Sequence, residues 1–213
     1  MKLLLILAML LSLPAQADTL EIGSKRFTES YILGEVLKRQ VEGITVVEHK
    51  PGLGSTGIVF AALKAGSIDL YPEYTGTIAK EILKLEGHSG IDELNRALSS
   101  QGLGVAVRLG FNNSYALAMR EERAQALGIR SLSDLAKHAG LKLGLSQEFI
   151  GRADGWPGLK AAYGLPYATP SGLDHGLAYE AIAAGKIDVM DIYSTDAKIE
   201  RYKLRVLEDD RDF

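Results

Sequence analysis

The segment Tyr71–Thr77 places two tyrosines and two threonines within seven residues. Pro72 stiffens its backbone, and Gly76 allows another group to approach it closely. Tyrosine ring faces attract cations, by about 2 kcal/mol when water is excluded. A quaternary ammonium group has no N–H to donate, so several ring faces around it are the physical way to bind it. The candidate ring ligands are Tyr74, Tyr115 and Tyr193.

The surroundings of Tyr74 recur later in the chain. Residues 57–75 and 176–194 align without gaps, with seven of nineteen positions identical, and the alignment matches Tyr74 with Tyr193. Each copy predicts a helix, an Ala-Gly turn, a short strand and a loop that holds the tyrosine. Shared composition of unrelated helix–strand units, with the tyrosines in half-buried core positions, is the alternative. Because ligands bind at the carboxyl ends of strands in open α/β sheets, we predict two similar lobes that share a ligand.

Basic side chains in two loops could hold an anionic group. Lys25 lies between the first predicted strand and the first predicted helix, whose N-terminus also favours an anion. Its neighbour Arg26 is explained equally well as a solvated charge. Arg152 could bind a carboxylate through two parallel hydrogen bonds. A structural ion pair of Arg152 with Asp154 or Glu148 is the alternative.

The elements that must position these residues alternate between strands and helices, which predicts an α/β fold. Strands are predicted at 19–22, 44–48, 68–70, 104–108, 115–119, 141–145, 187–189 and 203–207. Helices are predicted at 31–40, 57–64, 78–85, 91–100, 133–137 and 173–184. The candidate tyrosines and basic residues fall in, or directly beside, the loops between these elements.

Composition sets the broad class of the protein. The chain has 213 residues, is 46% hydrophobic and 24% charged, and carries a formal net charge of −3. These values are typical of a globular protein and give no field for nucleic acid. Cysteine is absent, the four histidines lack metal-ligand spacing, and no nucleophile motif stands out. We therefore expect no catalytic residue, no metal, no cofactor and no nucleic-acid partner.

The first 17 residues have the pattern of a secretory signal peptide. Lys2 supplies a positive start, Leu3–Leu13 is almost continuously apolar, and Ala15 and Ala17 are the small residues expected before a cleavage site. The apolar run is shorter than the roughly 20 residues that a membrane-spanning helix needs. We therefore predict cleavage before Asp18 and a protein that is free in the periplasm.

The segment Gly52–Gly57 fits the G-x-G-x-x-G pattern of dinucleotide sites, with Asp69 at the distance of a ribose-binding carboxylate. A nucleotide site is therefore an alternative. The short helix that follows and the predicted export of the chain argue against it.

Several segments together resemble the glycine betaine, choline and carnitine binding proteins of ABC transporters. The matching segments are 22–35 (IGSKRFTESYILGE), 52–57 (GLGSTG), 69–77 (DLYPEYTGT), 111–119 (FNNSYALAM), 151–159 (GRADGWPGL) and 191–199 (DIYSTDAKI). They cover nearly the whole chain after the signal, in order. The resemblance implies a two-lobed periplasmic-binding fold of type II, with a hinge of two crossing strands.

The resemblance also implies the roles of individual residues. Tyr74, Tyr115 and Tyr193 correspond to an aromatic box around a trimethylammonium group. Lys25, Thr77 and Arg152 correspond to the residues that hold a substrate carboxylate. Family members usually continue into a further loop that supplies another box tyrosine, so the chain looks truncated at its C-terminus.

These observations together predict an extracytoplasmic solute-binding protein of an ABC importer. We expect a first lobe at 18–107, rejoined by 208–213, and a second lobe at 108–207. A quaternary-ammonium osmolyte (glycine betaine, choline or carnitine) would bind between the lobes of a monomer, which would deliver it to a membrane permease. A secreted α/β enzyme, and a non-transporting sensor or remnant of a binding protein, are the alternatives.

Overall fold

The computed structural model describes residues 19–87 and 89–213, so the predicted signal segment and His88 lie outside the described residues. The strands are β1 (Leu20–Gly23), β2 (Val47–Lys50), β3 (Tyr115–Arg120), β4 (Gly144–Ser146), β5 (Ser171–Leu173), β6 (Val189–Tyr193) and β7 (Leu204–Val206). The helices are α1 (Thr28–Val41), α2 (Thr56–Lys64), α3 (Thr75–Thr77), α4 (Ile91–Ser99), α5 (Glu121–Leu127), α6 (Leu132–Leu135), α7 (Gln147–Gly151), α8 (Trp156–Tyr163), α9 (His175–Ala183) and α10 (Lys198–Arg201). A π-helical segment, Ile78–Ile82, continues α3.

A small parallel sheet organises the first lobe, a name we use for the predicted range 18–107. β1 pairs with β2, and Leu70 joins the sheet through a bridge to Ile22. Ile22, Val59 and Ile68 are buried, and they anchor β1, α2 and the segment before Leu70 to one another. The loops that follow β1 and Leu70 therefore start from the same edge of this sheet.

The second lobe, the predicted range 108–207, repeats this arrangement. β4 pairs in parallel with β5, and Leu143 bridges to Val189 at the start of β6. β6 also pairs antiparallel with β3, which in turn pairs with β7. A large buried cluster that includes Leu117, Leu145 and Trp156 packs around these strands. Hydrophobic burial of this kind, at roughly 25 cal/mol per Å² of apolar surface, is what holds the strands in place.

Local sequence explains where several of the second lobe's helices begin and end. α8 has Pro157 in its first turn, where the missing N–H costs no helical hydrogen bond. It ends at Gly164, whose φ of 61° closes the helix in the left-handed region. Ser131 and Asp134 form a reciprocal capping box at the start of α6.

The strand predicted at 104–108 does not form. A strand needs hydrogen bonds to the backbone of a neighbouring strand, and here the side chain of Asn95 makes those hydrogen bonds instead. The Val105 N–H donates to Asn95 Oδ1 at 2.6 Å, and Asn95 Nδ2 donates to the Val105 carbonyl at 3.4 Å. Val107 remains 72% exposed. Alternating apolar residues were therefore an insufficient signal without a pairing partner.

Residues 208–213 contact the second lobe, whereas the sequence analysis expected them to rejoin the first. The Leu132 N–H donates to the Glu208 carbonyl at 2.9 Å, and the Ser133 N–H donates to Asp210 Oδ1 at 3.1 Å. The Arg211 N–H donates to the Tyr163 hydroxyl at 2.8 Å. Free N–H groups at the start of α6 attract these carbonyl and carboxylate oxygens, which explains the placement.

Across residues 19–87 and 89–213, every helix is too short or too polar to cross a bilayer.

Candidate ligand-binding site

The two tyrosine-bearing segments leave their helices through the same turn. α2 and α9 are followed by Gly66 and Gly185, whose φ angles are 68° and 65°. In both copies the residue after the glycine donates its N–H to the carbonyl five residues earlier, at 2.9 Å. Glycine adopts this left-handed conformation without the penalty of a Cβ. The sequence repeat is therefore also a structural repeat.

The aspartate after each turn fixes the following segment to the neighbouring strand. In the first lobe the Asp69 N–H donates to the Glu21 carbonyl at 2.7 Å, and the Glu21 N–H donates to Asp69 Oδ2 at 2.7 Å. In the second lobe Asp188 and Lys142 exchange the same two bonds, at 2.7 and 2.9 Å. The shared geometry sends the two tyrosine segments out from corresponding edges of the two sheets.

Tyr115 and Tyr193 come together because their strands pair. They are directly opposite each other in the antiparallel register of β3 and β6, and their ring centroids are 5.1 Å apart. The first lobe adds Phe27, whose ring centroid lies 4.6 Å from that of Tyr193. Burial is the main cause that raises the pKa of both phenols, so they stay neutral at physiological pH. These three residues form what we call the ring cluster.

Tyr74 meets the ring cluster through Phe27, with 6.5 Å between the two ring centroids. Its hydroxyl donates to Glu29 Oε1 and accepts from Asn113 Nδ2 at 3.3 Å. The same Asn113 amide donates to Glu29 at 2.8 Å, so a residue of the second lobe shares this network. Tyr74 is therefore held at the rim of the cluster.

Lys25 is buried beside the rings of the first lobe. Its Nζ lies 2.7 Å from Glu73 Oε1, and both side chains are 6% exposed. The ammonium also donates to Thr56 Oγ1 at 3.3 Å, and it lies 5.4 Å from the Tyr74 ring centroid and 5.8 Å from that of Phe27. The candidate anion-binding lysine thus already has a carboxylate partner.

Arg152 reaches from the second lobe to the first. Its Nε and Nη2 donate to Asp154 at 3.0 and 2.7 Å, which is the ion pair that the sequence left open as an alternative. Its Nη1 donates to Thr77 Oγ1 at 3.2 Å, and the guanidinium lies 5.5 Å from the Tyr115 ring centroid. Arg152 therefore combines a structural pair with a position beside the ring cluster.

Glu148 is a cleft residue to which the sequence analysis gave only the part of an ion-pair partner. Its carboxylate accepts the Thr56 hydroxyl and the Thr56 N–H, the latter at 3.4 Å, and so contacts the first turn of α2 in the opposite lobe. Burial is the largest cause of the raised pKa of Tyr115 and of Tyr193, and the negative charge of Glu148 adds to it. Predicting the role of Glu148 from the sequence would have required knowing that the start of α2 faces α7.

Asp191 lies on β6, two residues before Tyr193 of the ring cluster. Its two carboxylate oxygens accept the Ser146 N–H and hydroxyl, each at 2.6 Å. Ser146 in turn accepts the Phe149 N–H at 3.2 Å and caps α7. Burial raises the pKa of Asp191, against the opposing effect of the Ser146 bonds. The strand that carries Tyr193 is thereby joined to the helix that carries Glu148.

A cavity of about 170 Å³ opens between the two lobes beside the ring cluster. It is lined by Arg26, Phe27, Thr28, Tyr31, Asp174, His175, Gly176, Tyr179, Asp196 and Lys198. The His175 ring covers Tyr193 with 4.3 Å between centroids, and Asp196 holds His175 at 2.8 Å. Both lobes therefore contribute to the space next to Phe27.

The nucleotide alternative loses its acidic residue, because Asp69 Oδ2 already accepts a backbone N–H of β1. Within the described ranges, no group of three His, Cys, Asp or Glu side chains could hold a metal ion.

The six predicted site residues are divided between the lobes, and none of them is among the residues that line the 170 Å³ cavity. Lys25, Tyr74 and Thr77 belong to the first lobe, and Tyr115, Arg152 and Tyr193 belong to the second. Sequence reasoning assigned no role to Phe27, Glu29, Glu73 or Asn113, which complete the contacts. The arrangement brings neutral, mutually packed rings and paired charges together where the two lobes meet.

Comparison with known proteins gives a consistent result. Residues 18–213 match the family profile OpuAC, the substrate binding domain of ABC-type glycine betaine transport systems. The chain is 36% identical over 219 residues to a glycine-betaine-binding protein of Pseudomonas aeruginosa, covering 93% of this chain and 69% of that one. It is 34% identical over 203 residues to an ergothioneine transport permease/binding protein of Helicobacter pylori, covering 91% of this chain and 36% of that one.

The solved structures agree. A crystal structure described as a glycine betaine/carnitine/choline ABC transporter superposes with a TM-score of 0.63 at 29% identity, covering 91% of this chain and 74% of that one. The fold is the α/β, two-lobed periplasmic-binding fold of type II, as the sequence predicted. The chain belongs to the family of substrate-binding domains of ABC-type glycine betaine transport systems.

Proposed function

We propose that this protein captures a quaternary-ammonium osmolyte between its lobes, and that the ring cluster binds the cationic head. The observation that carries this proposal is the meeting of Phe27 from the first lobe with Tyr115 and Tyr193 from the second. Ring faces attract a cation without requiring a hydrogen-bond donor from it, at about 2 kcal/mol or more per desolvated contact. Because the rings come from both lobes, binding of the head would favour the closed arrangement.

Tyr74 would complete the aromatic box from the rim. Its ring is linked to the cluster through Phe27, and its hydroxyl is fixed by Glu29 and Asn113. A fixed ring loses little entropy when a ligand arrives, so preorganisation supports this role.

Lys25, Thr77 and Arg152 would hold the polar end of such a ligand. For a ligand with a carboxylate, Lys25 and Arg152 would exchange their present carboxylate partners for the ligand. Thr77 would remain the hydroxyl partner from the first lobe.

We further propose that the protein works outside the inner membrane, in the periplasm, as a monomer that hands its ligand to an ABC permease. Membership of a family of transporter substrate-binding domains supports this role. The pattern of the first 17 residues supports export. No reaction of the ligand is proposed, so the bound osmolyte should be recovered unchanged.

The relatives define the ligands to compare. One is named for glycine betaine and another for ergothioneine, which is itself a trimethylammonium compound with a carboxylate. Choline and carnitine share the trimethylammonium head and differ in their polar ends.

Isothermal titration calorimetry of the mature protein with glycine betaine, choline, carnitine and ergothioneine tests the proposal. We expect saturable binding of at least one of them, with one site per chain. Noise-level heats for all four, from protein whose circular dichroism shows it to be folded, would exclude the ligand class. NMR of the released ligand would reveal any chemical conversion and so favour an enzyme instead.

A further inference from the structure

Asn113 lies just before β3, and the oxygen of its side-chain amide is held by the second lobe. Asn113 Oδ1 accepts the Ser194 hydroxyl at 3.3 Å. That hydroxyl accepts the Ser114 N–H at 3.0 Å, and the Ser194 N–H donates to the Ser114 carbonyl at 2.9 Å. These bonds continue the pairing of β3 with β6 by one residue beyond Tyr115 and Tyr193. With its oxygen engaged in this way, the amide has its Nδ2 group left for the first lobe.

The Nδ2 group of Asn113 contacts two side chains of the first lobe. It donates to Glu29 Oε1 at 2.8 Å and to the Tyr74 hydroxyl at 3.3 Å. The Tyr74 hydroxyl donates its own hydrogen to the same Glu29 oxygen. Burial and the Glu29 bond raise the pKa of the Tyr74 phenol, against the opposing effect of the Asn113 bond, so the phenol keeps this hydrogen. The three side chains therefore form one closed set of hydrogen bonds.

An amide is the side-chain group that suits position 113. It must accept a hydrogen bond from Ser194 and donate two hydrogen bonds, to Glu29 and Tyr74, and an asparagine amide has both capacities. A reversed amide would bring its oxygen against the Glu29 carboxylate, where two acceptors repel each other. Through this one side chain, the segment after Tyr193 in the second copy of the repeat is linked to the tyrosine of the first copy.

We propose that Asn113 is a positioning residue for ligand binding, which holds the Tyr74 ring at a fixed place relative to Tyr115 and Tyr193. The inference rests on the proposed function, in which Tyr74 completes the aromatic box. Packing alone constrains this ring weakly, because its centroid lies 6.5 Å from that of Phe27, near the upper end of the range for ring pairs. Hydrogen bonds depend more steeply on distance and angle, so the Asn113 amide is the stricter constraint.

The decisive variant is Asn113→Asp, which replaces the donor by a second carboxylate facing Glu29. Repulsion should displace the Tyr74 hydroxyl and its ring. Calorimetry with the tightest binder among glycine betaine, choline, carnitine and ergothioneine should then show an affinity about three- to fivefold lower, the upper value being that expected for complete loss of the ring. The added negative charge by itself would attract a cationic head, so it opposes the expected loss.

Three further titrations show whether the effect passes through Tyr74. In the Tyr74→Leu background there is no ring to position, so Asn113→Asp should change the affinity by less than about twofold. Glu29→Gln combined with Asn113→Asp exchanges the donor and the acceptor between the two positions, so it should restore most of the affinity. The matched control is Asn112→Asp, because the Asn112 amide donates to Ser114 Oγ at 3.0 Å within its own loop. Its affinity should equal that of the unmodified protein.

The outcomes separate the inference from the proposed function. Unchanged affinity of folded Asn113→Asp, an equal loss in the Tyr74→Leu background, or no recovery with Glu29→Gln would each overturn the inference and leave the proposed function standing. Absence of binding of all four compounds to the unmodified protein would overturn both. If circular dichroism shows Asn113→Asp to be unfolded, Asn113→Ala removes the same donor without adding a charge, and its loss in the presence and absence of the Tyr74 ring decides.

Discussion

The two copies of the helix–turn–strand unit, residues 57–75 and 176–194, share a turn and an aspartate but diverge beyond them. In the second copy the chain continues as β6 and pairs with β3. In the first copy Pro72 occupies the position of Asp191, and proline has no N–H to give to a neighbouring strand. The first copy therefore leaves its sheet early, and Glu73 lies in a loop, where it pairs with Lys25.

The first turns of α2 and α9 also differ, because only α9 is capped by a side chain of its own segment. Asp174 caps α9 by accepting the N–H groups of Gly176 and Leu177 at 2.9 and 3.3 Å. The corresponding Ser55 makes no side-chain cap at the start of α2. That position instead receives Glu148 from the opposite lobe.

The two copies of the helix–turn–strand unit therefore have different roles. The second copy satisfies its own backbone and forms a self-contained platform for Tyr193. The first copy leaves a helix start that Glu148 completes from the opposite lobe. We infer that the first copy is the side that responds to closure and to the ligand.

The largest expected effect concerns the matching tyrosines. Tyr193→Leu keeps apolar bulk but removes a ring that contacts both Tyr115 and Phe27, so it should weaken ligand binding by about 2 kcal/mol, or roughly thirtyfold. Tyr74→Leu should cost about 1 kcal/mol, because its ring reaches the cluster only through Phe27. Calorimetry measures both losses.

The control for these tyrosines is Tyr202→Leu, since the Tyr202 hydroxyl makes an exposed bond to Glu180 and its ring is not part of the ring cluster. Its ligand affinity should match that of the unmodified protein. A larger loss of ligand affinity for Tyr74→Leu than for Tyr193→Leu would show that Tyr74, and not Tyr193, makes the main ring contact with the ligand.

An intermediate effect should be equal in the two copies. Alanine at Gly66 or Gly185 forces a Cβ residue into the left-handed region, so each variant should lose about 1–2 kcal/mol of unfolding free energy. Within the described residues, the new Cβ meets nothing closer than 3.9 Å, the distance to Arg120 at Gly185, so conformational strain is the whole effect. Urea unfolding measures it.

Asparagine at the same two positions provides the control, because it tolerates the left-handed conformation better and should lose less than alanine. A loss confined to one of the two glycines would break the structural equivalence of the copies.

The smallest expected effect separates the helix starts. Asp174→Ala removes two capping bonds and should cost about 1 kcal/mol of unfolding free energy. Ser55→Ala removes no side-chain cap and should stay within about 0.5 kcal/mol. Chemical denaturation of both variants, at the same pH and salt, tests this. Equal costs would show that Ser55 caps α2 in solution after all.

The sequence predicted the parts of the fold that depend on local signals. Gly66 and Gly185 mark helix ends, and the Ile-Asp pairs that follow mark the return to a sheet. The structure bears these out, although residues 68–70 form only a bridge at Leu70. β5 was missed because Ser171 and Gly172 lack the branched or aromatic side chains of a strand. Its pairing with β4 supplies what propensity does not.

Of the candidate site, the sequence could predict only those residues whose side-chain type itself suggests a binding role. Tyrosines and basic residues in loops drew attention, and the structure brings Tyr115 and Tyr193 together. Phe27 gave no such signal, since a single aromatic residue in a loop has no periodicity to interpret. Glu73 and Glu148 acquire their roles from the opposite element that each one faces, and that pairing is a tertiary property.

The contacts of Thr56 with Glu148 and of Thr77 with Arg152 bridge the cleft through the protein's own side chains. We infer that these bridges must break, and the lobes part, before a solute reaches the rings. In stopped-flow experiments the observed association rate should then level off at high solute concentration, at the rate of spontaneous opening. Uptake from a rich medium would be limited by that internal motion and not by how often solute and protein collide.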